Sequence, residues 1–87
     1  MSTREATVAA AEGLHARPAS QFVQAAKATG VAVKITKGEK GPVSASSILS
    51  VLSLGAKQGD VVVLEADGEG ADAALESLVA VLEDPNQ

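Results

Sequence analysis

The pattern of apolar and polar positions changes period several times along the chain. From Arg4 to Ala10 every second residue is apolar, with Ala6, Val8 and Ala10 on one face, and this predicts a first strand. Ala11 to Leu14 contains Gly13 and reads as a turn. From Ala16 to Thr29 the period becomes helical. Ala16, Ala19, Phe22, Val23 and Ala26 fall on one side, and Arg17, Ser20, Gln21, Gln24 and Lys27 on the other. Gly30 is placed to end that helix. Val31 to Lys37 alternates again, with Val31, Val33 and Ile35 inward. Gly38-Glu39-Lys40-Gly41 has the composition of a hairpin turn, and Pro42 to Ala45 is a short strand that opens on its proline.

Ser47 to Leu54 reads as a short helix stopped by Gly55. Asp60 to Ala66 is a strand apolar on both faces between Val61 and Leu64, which places it centrally. Gly70 to Glu83 is a last helix with a stripe of Ala71, Ala74, Leu75, Leu78, Val79 and Leu82; Glu69 and Asp72 suit its positive end, and Pro85 follows it. The predicted order is strand, helix, strand, strand, helix, strand, helix. Connections this short favour an antiparallel sheet with helices on one face, an α+β open-faced sandwich.

Composition narrows the possibilities. Eighty-seven residues make one domain, 1–87, whose core is drawn from Ala, Val, Leu and Ile, because the chain has one Phe and no Trp or Tyr. Cysteine is absent, so there is neither a disulfide nor a thiolate nucleophile, which suits a reducing, cytoplasmic setting. No run approaches the ~20 apolar residues that span a bilayer, and Met1 to Thr7 lacks the apolar core of a signal peptide. The net charge of −4 and the lack of a basic cluster argue against nucleic acid, which needs cations for its phosphates. One histidine without cysteine is too few ligands for the usual zinc sites. There is no Walker-A loop, and the serines have no accompanying histidine–acid triad. Gly38 to Gly41 matches the GxxG of KH domains, but it joins strands rather than helices.

The candidate chemistry is at His15, the sole histidine, which follows the glycine turn and precedes the first helix. The first N–H groups of a helix have no internal partner and the dipole is positive there, so an added anion is stabilised. Arg17 supplies a planar, multidentate phosphate donor within the first turn, and Pro18 sits where a missing N–H costs little. Neutral imidazole is a nucleophile at physiological pH. By itself a short His-x-Arg reads more readily as a helix cap beside a solvated charge.

Two longer segments go further. Gly13-Leu14-His15-Ala16-Arg17-Pro18-Ala19 resembles the active-site signature of the HPr family, the histidine-containing phosphocarriers of the sugar phosphotransferase system. Ser47-Ile48-Leu49-Ser50-Val51-Leu52-Ser53-Leu54-Gly55 is similar to that family's second-helix region, and the resemblance extends over the whole chain. It implies a four-stranded antiparallel sheet with three helices on one face. It implies further that enzyme I, charged by phosphoenolpyruvate, phosphorylates Nδ1 of His15, that Arg17 steadies the phosphate, and that IIA domains of sugar permeases receive it. No metal or organic cofactor is implied. Glu12 departs from the small neutral polar residues common at its position; a carboxylate there repels the phosphoryl group or pairs with Arg17.

On the second helix Ser47, Ser50 and Ser53 group on one side, and the apolar arc is too wide to face one sheet. Val51 and Leu54 suit the core, whereas Ile48, Leu49 and Leu52 form a second group, either buried as well or left exposed as a docking patch. The family binds enzyme I and other partners through this region, which favours docking. Ser47 is an N-cap in either case. Gram-positive members of the family are phosphorylated at the matching serine by a dedicated kinase, which makes Ser47 a candidate regulatory site. The alternative to a phosphocarrier is a non-catalytic regulatory module of the same fold acting through the second helix; such a module has no need of His15 with Arg17 beside it.

Overall fold

The structure is a computed structural model. It describes residues 2–9 and 16–83, with backbone alone at 16–18. Ala10, the Ala11 to Leu14 turn, Glu12, His15 and Pro85 lie outside the described residues.

The elements follow the expected order: β1 (Ser2–Thr7), α1 (Ala16–Ala28), β2 (Val33–Lys37), β3 (Lys40–Ser44), α2 (Ile48–Ser53), β4 (Val61–Ala66) and α3 (Ala71–Leu82). The four strands form one sheet in the order β1-β4-β2-β3, and every neighbouring pair is antiparallel. β4 is therefore central, as its apolar run suggested. Residues directly opposite one another share a face. Ala6 opposes Val62, Ile35 opposes Leu64 and Val33 opposes Ala66, and all six are buried. The helices cover this face, with Ala19, Phe22, Val23 and Ala26 of α1 and Ala71, Ala74, Leu75, Leu78 and Leu82 of α3 buried against it. The fold is thus an open-faced α+β sandwich. Val79, expected in the buried stripe, is half-buried at its edge.

The other face of the sheet is open. Val61 opposes Thr7 there and is 49% exposed, and Val63 lies opposite Glu5 and Thr36. An apolar run on both faces of β4 marks a central strand in this molecule, although only one of those faces is covered.

The β2–β3 hairpin is tighter than the sequence suggested. Its turn is Gly38-Glu39, so Lys40 and Gly41 already belong to β3, and Pro42 is the third residue of that strand. Ile35 opposes Val43 while Lys37 opposes Lys40, so β3 spends two residues, Gly41 and Pro42, where β2 spends one. Glycine with positive φ is one common way to build such a bulge. Gly41 has φ of +104°, and a Cβ there would stand 2.8 Å from the Ile35 carbonyl oxygen. Pro42 is tolerated because β3 is an edge strand, where an N–H pointing outward is not required.

Candidate functional site

α1 begins at Ala16, the residue after His15, so the unpartnered N–H groups of its first turn lie next to the histidine in the chain. Arg17 is the second residue of this helix. The imidazole and the guanidinium are outside what the structure describes.

The backbone that leaves β1 at Val8 and Ala9 is well defined. β1 continues past Thr7 as an irregular ladder: the Val8 N–H donates to the Asp60 carbonyl at 2.9 Å, and the Gly59 N–H donates to the Val8 carbonyl at 2.8 Å. The Ala9 N–H donates to the Leu82 carbonyl at the end of α3, at 3.0 Å. The Ala9 carbonyl accepts from Gln58 Nε2 at 3.2 Å.

Gln58 lies in a turn closed from both ends. The Asp60 N–H donates to the Lys57 carbonyl, and the Lys57 N–H donates to Asp60 Oδ2, each at 2.9 Å. Lys37 from the end of β2 places Nζ 3.3 Å from the same carboxylate oxygen and donates to the Gly55 carbonyl at 3.4 Å. The Lys57 N–H, and next the Lys37 ammonium, hold the Asp60 carboxyl below the usual carboxylate range. Sequence reading missed this cluster because its partners are 49 residues apart for Gln58 and Ala9, and 23 apart for Lys37 and Asp60, and pairing at such distances leaves no local pattern.

α2 packs against α1 and β3. Ser47 is its N-cap, in an extended conformation, and Ser47 Oγ accepts from the Ser50 N–H at 3.4 Å. Val51 and Leu54 are buried, as the wheel indicated. Leu49 is 77% exposed and Ile48 37% exposed. Leu52 departs from that pair: it is half-buried and packs against the core. α2 packs against both α1 and β3, so more than one side of this short helix is covered. The apolar patch is thus Ile48 and Leu49, with Leu52 at its margin.

An open-faced sandwich with a helix beginning directly after a lone histidine, and with apolar side chains exposed on the short helix packed beside it, has the parts of a phosphate-carrying protein. The family model for the PTS HPr component phosphorylation site matches residues 2–84. The phosphocarrier protein HPr of Streptomyces coelicolor is 56% identical over 82 residues, covering 94% of this chain and 88% of that protein. That of Haemophilus influenzae is 39% identical over 82 residues, covering 94% and 95%. Among solved structures, HPr-C-His from Thermoanaerobacter tengcongensis superposes with a TM-score of 0.87 at 36% identity, covering 95% of this chain and 92% of that one. These likenesses define a phosphocarrier of the phosphotransferase system. The chain belongs to the HPr family.

Proposed function

We propose that the chain takes a phosphoryl group from phosphorylated enzyme I onto His15 and passes it to IIA domains of sugar permeases, in the cytoplasm. The observation that carries this reading is the placement of His15 immediately before the first residue of α1, with Arg17 in the first helical turn. A ring nitrogen of neutral imidazole attacks phosphorus with its lone pair. The donor's bond to the phosphoryl group breaks as the new P–N bond forms, and the bonding electrons leave with the donor. Transfer to a IIA domain repeats the step in the other direction. Open N–H groups at the helix start and the Arg17 guanidinium suit the charge on the phosphoryl oxygens.

Ile48, Leu49 and the exposed margin of Leu52 are the docking patch for enzyme I in this reading, since an apolar surface beside a reactive site gains most from being covered. Ser47 caps the same helix and is the candidate regulatory phosphorylation site. A phosphate there would put charge beside the patch that a partner must desolvate.

The test is to incubate the protein with enzyme I and phosphoenolpyruvate and weigh it. One phosphoryl group should add, stable in alkali and lost in acid, and His15→Ala should add none while keeping its fold. A mass gain that survives His15→Ala refutes the assignment.

A further inference from the structure

β4 passes to α3 through the short exposed connection Asp67-Gly68-Glu69-Gly70. The Gly68 N–H donates to Asp67 Oδ1 at 3.1 Å, so the aspartate carboxyl stands beside the peptide nitrogen of the next residue. That pairing has a reaction open to it, in which the nitrogen closes a five-membered ring on Cγ. Three features of the connection suit the step. Gly68 has φ of +96°, and the place where a Cβ would stand has no atom within 4 Å, so nothing crowds the ring. The Gly68 N–H is bonded to its own neighbour's side chain, so closing the ring breaks no bond of the sheet or of a helix. The connection is exposed and outside the regular elements, where backbone dihedrals change at least cost. The other described aspartates differ on these points. Asp60 precedes β-branched Val61, and its carboxylate is held by the Lys57 N–H and the Lys37 ammonium. Asp72 is in the first turn of α3, where the helix fixes its backbone, and it faces Arg4.

We propose that Asp67-Gly68 is a site of spontaneous isomerisation to isoaspartate. The Gly68 nitrogen attacks Cγ of the protonated Asp67 carboxyl. The N–Cγ bond forms, the bond from Cγ to the hydroxyl breaks, and the hydroxyl leaves with the amide proton as water. A second water then opens the succinimide. Attack at Cγ restores aspartate. Attack at the main-chain carbonyl breaks its bond to the Gly68 nitrogen and leaves the chain running through Cγ. No oxidant, reductant or cofactor takes part. The product adds one methylene to the main chain between β4 and α3. Because the Gly68 carbonyl accepts the Ala71 N–H at 3.3 Å, the longer connection acts directly on the start of α3, where Ala71 and Ala74 are buried.

The test ages the folded, full-length protein at physiological pH and temperature. Isoaspartate is then labelled with an isoaspartyl methyltransferase and radiolabelled S-adenosylmethionine. Electron-transfer fragmentation of the peptides locates it, since isoaspartate and aspartate have equal mass. Isoaspartate should accumulate at residue 67 with time. Asp67→Glu keeps the charge but has to close a six-membered ring, so its label from this position should fall at least about tenfold, one decade in rate. The folded chain should isomerise at residue 67 within about tenfold of the rate in the denaturant-unfolded chain, because the native connection already sets the carboxyl against the nitrogen. No isoaspartate at residue 67, equal label there in wild type and Asp67→Glu, or a folded chain slower than the unfolded one by more than about tenfold overturns the proposal.

Discussion

Leu49 and Val51 are two residues apart on one short helix and should behave oppositely when truncated. Leu49 is 77% exposed and Val51 fully buried. Full burial of a leucine side chain is worth about 1.5–3 kcal/mol. With roughly three-quarters of that surface still open, a partner that covers Leu49 gains about 1–2 kcal/mol from it, or about fivefold to thirtyfold in affinity at ~1.4 kcal/mol per decade. Leu49→Ala should therefore raise the carrier's KM with enzyme I by about that factor. As an exposed substitution it should change stability by within about 0.5 kcal/mol, or about 2–4 °C in Tm for a domain of this size. Val51→Ala removes two methyl groups, about 1.6 kcal/mol of transfer free energy. The cavity left behind brings the loss to roughly 2–3 kcal/mol, which lowers Tm by roughly 10–20 °C. Its KM, measured well below the new Tm, should stay near wild type. The assay pairs initial rates of phosphorylation over a range of carrier concentrations with thermal unfolding followed by circular dichroism. A Leu49→Ala variant with unchanged KM, or one that melts far below wild type, refutes the division of α2 into a docking side and a core side.

Three further outcomes are expected. Arg17→Ala should slow transfer from enzyme I by about tenfold to a hundredfold, the worth of charge-assisted hydrogen bonds to phosphate, with Tm little changed; rapid-quench measurement of phosphohistidine checks it. Ser47→Ala should cost up to about 1 kcal/mol through the lost cap, whereas Ser47→Asp keeps an acceptor, melts near wild type and slows His15 phosphorylation by placing charge beside Ile48 and Leu49; equal rates for wild type and Ser47→Asp over all enzyme I concentrations leave Ser47 as a cap alone. The Asp60 carboxyl is held below its unfolded value, near ~3.9, so its stabilising contribution is fully present above that pH and is lost as pH falls through the unfolded and then the folded value. Urea unfolding at pH 6 and pH 3 should show wild type losing more stability in acid than Asp60→Asn, and equal losses would count against the Lys57 and Lys37 contacts.

Much of this protein is legible along the chain because its chemistry is local. A helix start is written in consecutive residues, so His15, Arg17 and Pro18 can be recognised without a fold, and the N-cap at Ser47 lies directly before the helix it serves. Period also carries the core: alternation marked Ala6, Val8, Val33 and Ile35, and the helical repeat marked Phe22, Val23, Leu75 and Leu78, all of them buried. What escaped was whatever depends on a partner distant in the chain. The bulge at Gly41 and Pro42 exists only in the register of β3 against β2, so composition alone merged Lys40 and Gly41 into the turn. The half-burial of Leu52 depends on how α2 is seated against α1 and β3, whereas the helical wheel knows only the angle between side chains. The apolar outer positions of β4 look like burial in sequence, yet Val61 faces water because all three helices lie on the other side of the sheet. The tether from Lys37 through Asp60 to Gln58 and Ala9 is assembled from the ends of β2, β4 and β1, and no local pattern records it. Sequence determined the candidate reactive residues and the inward face of each element, since both follow from neighbours a few positions away; the sheet decided which surfaces remain open and how Ala9, Gln58, Asp60 and Lys37 come together, because those depend on contacts that form only when distant strands pair.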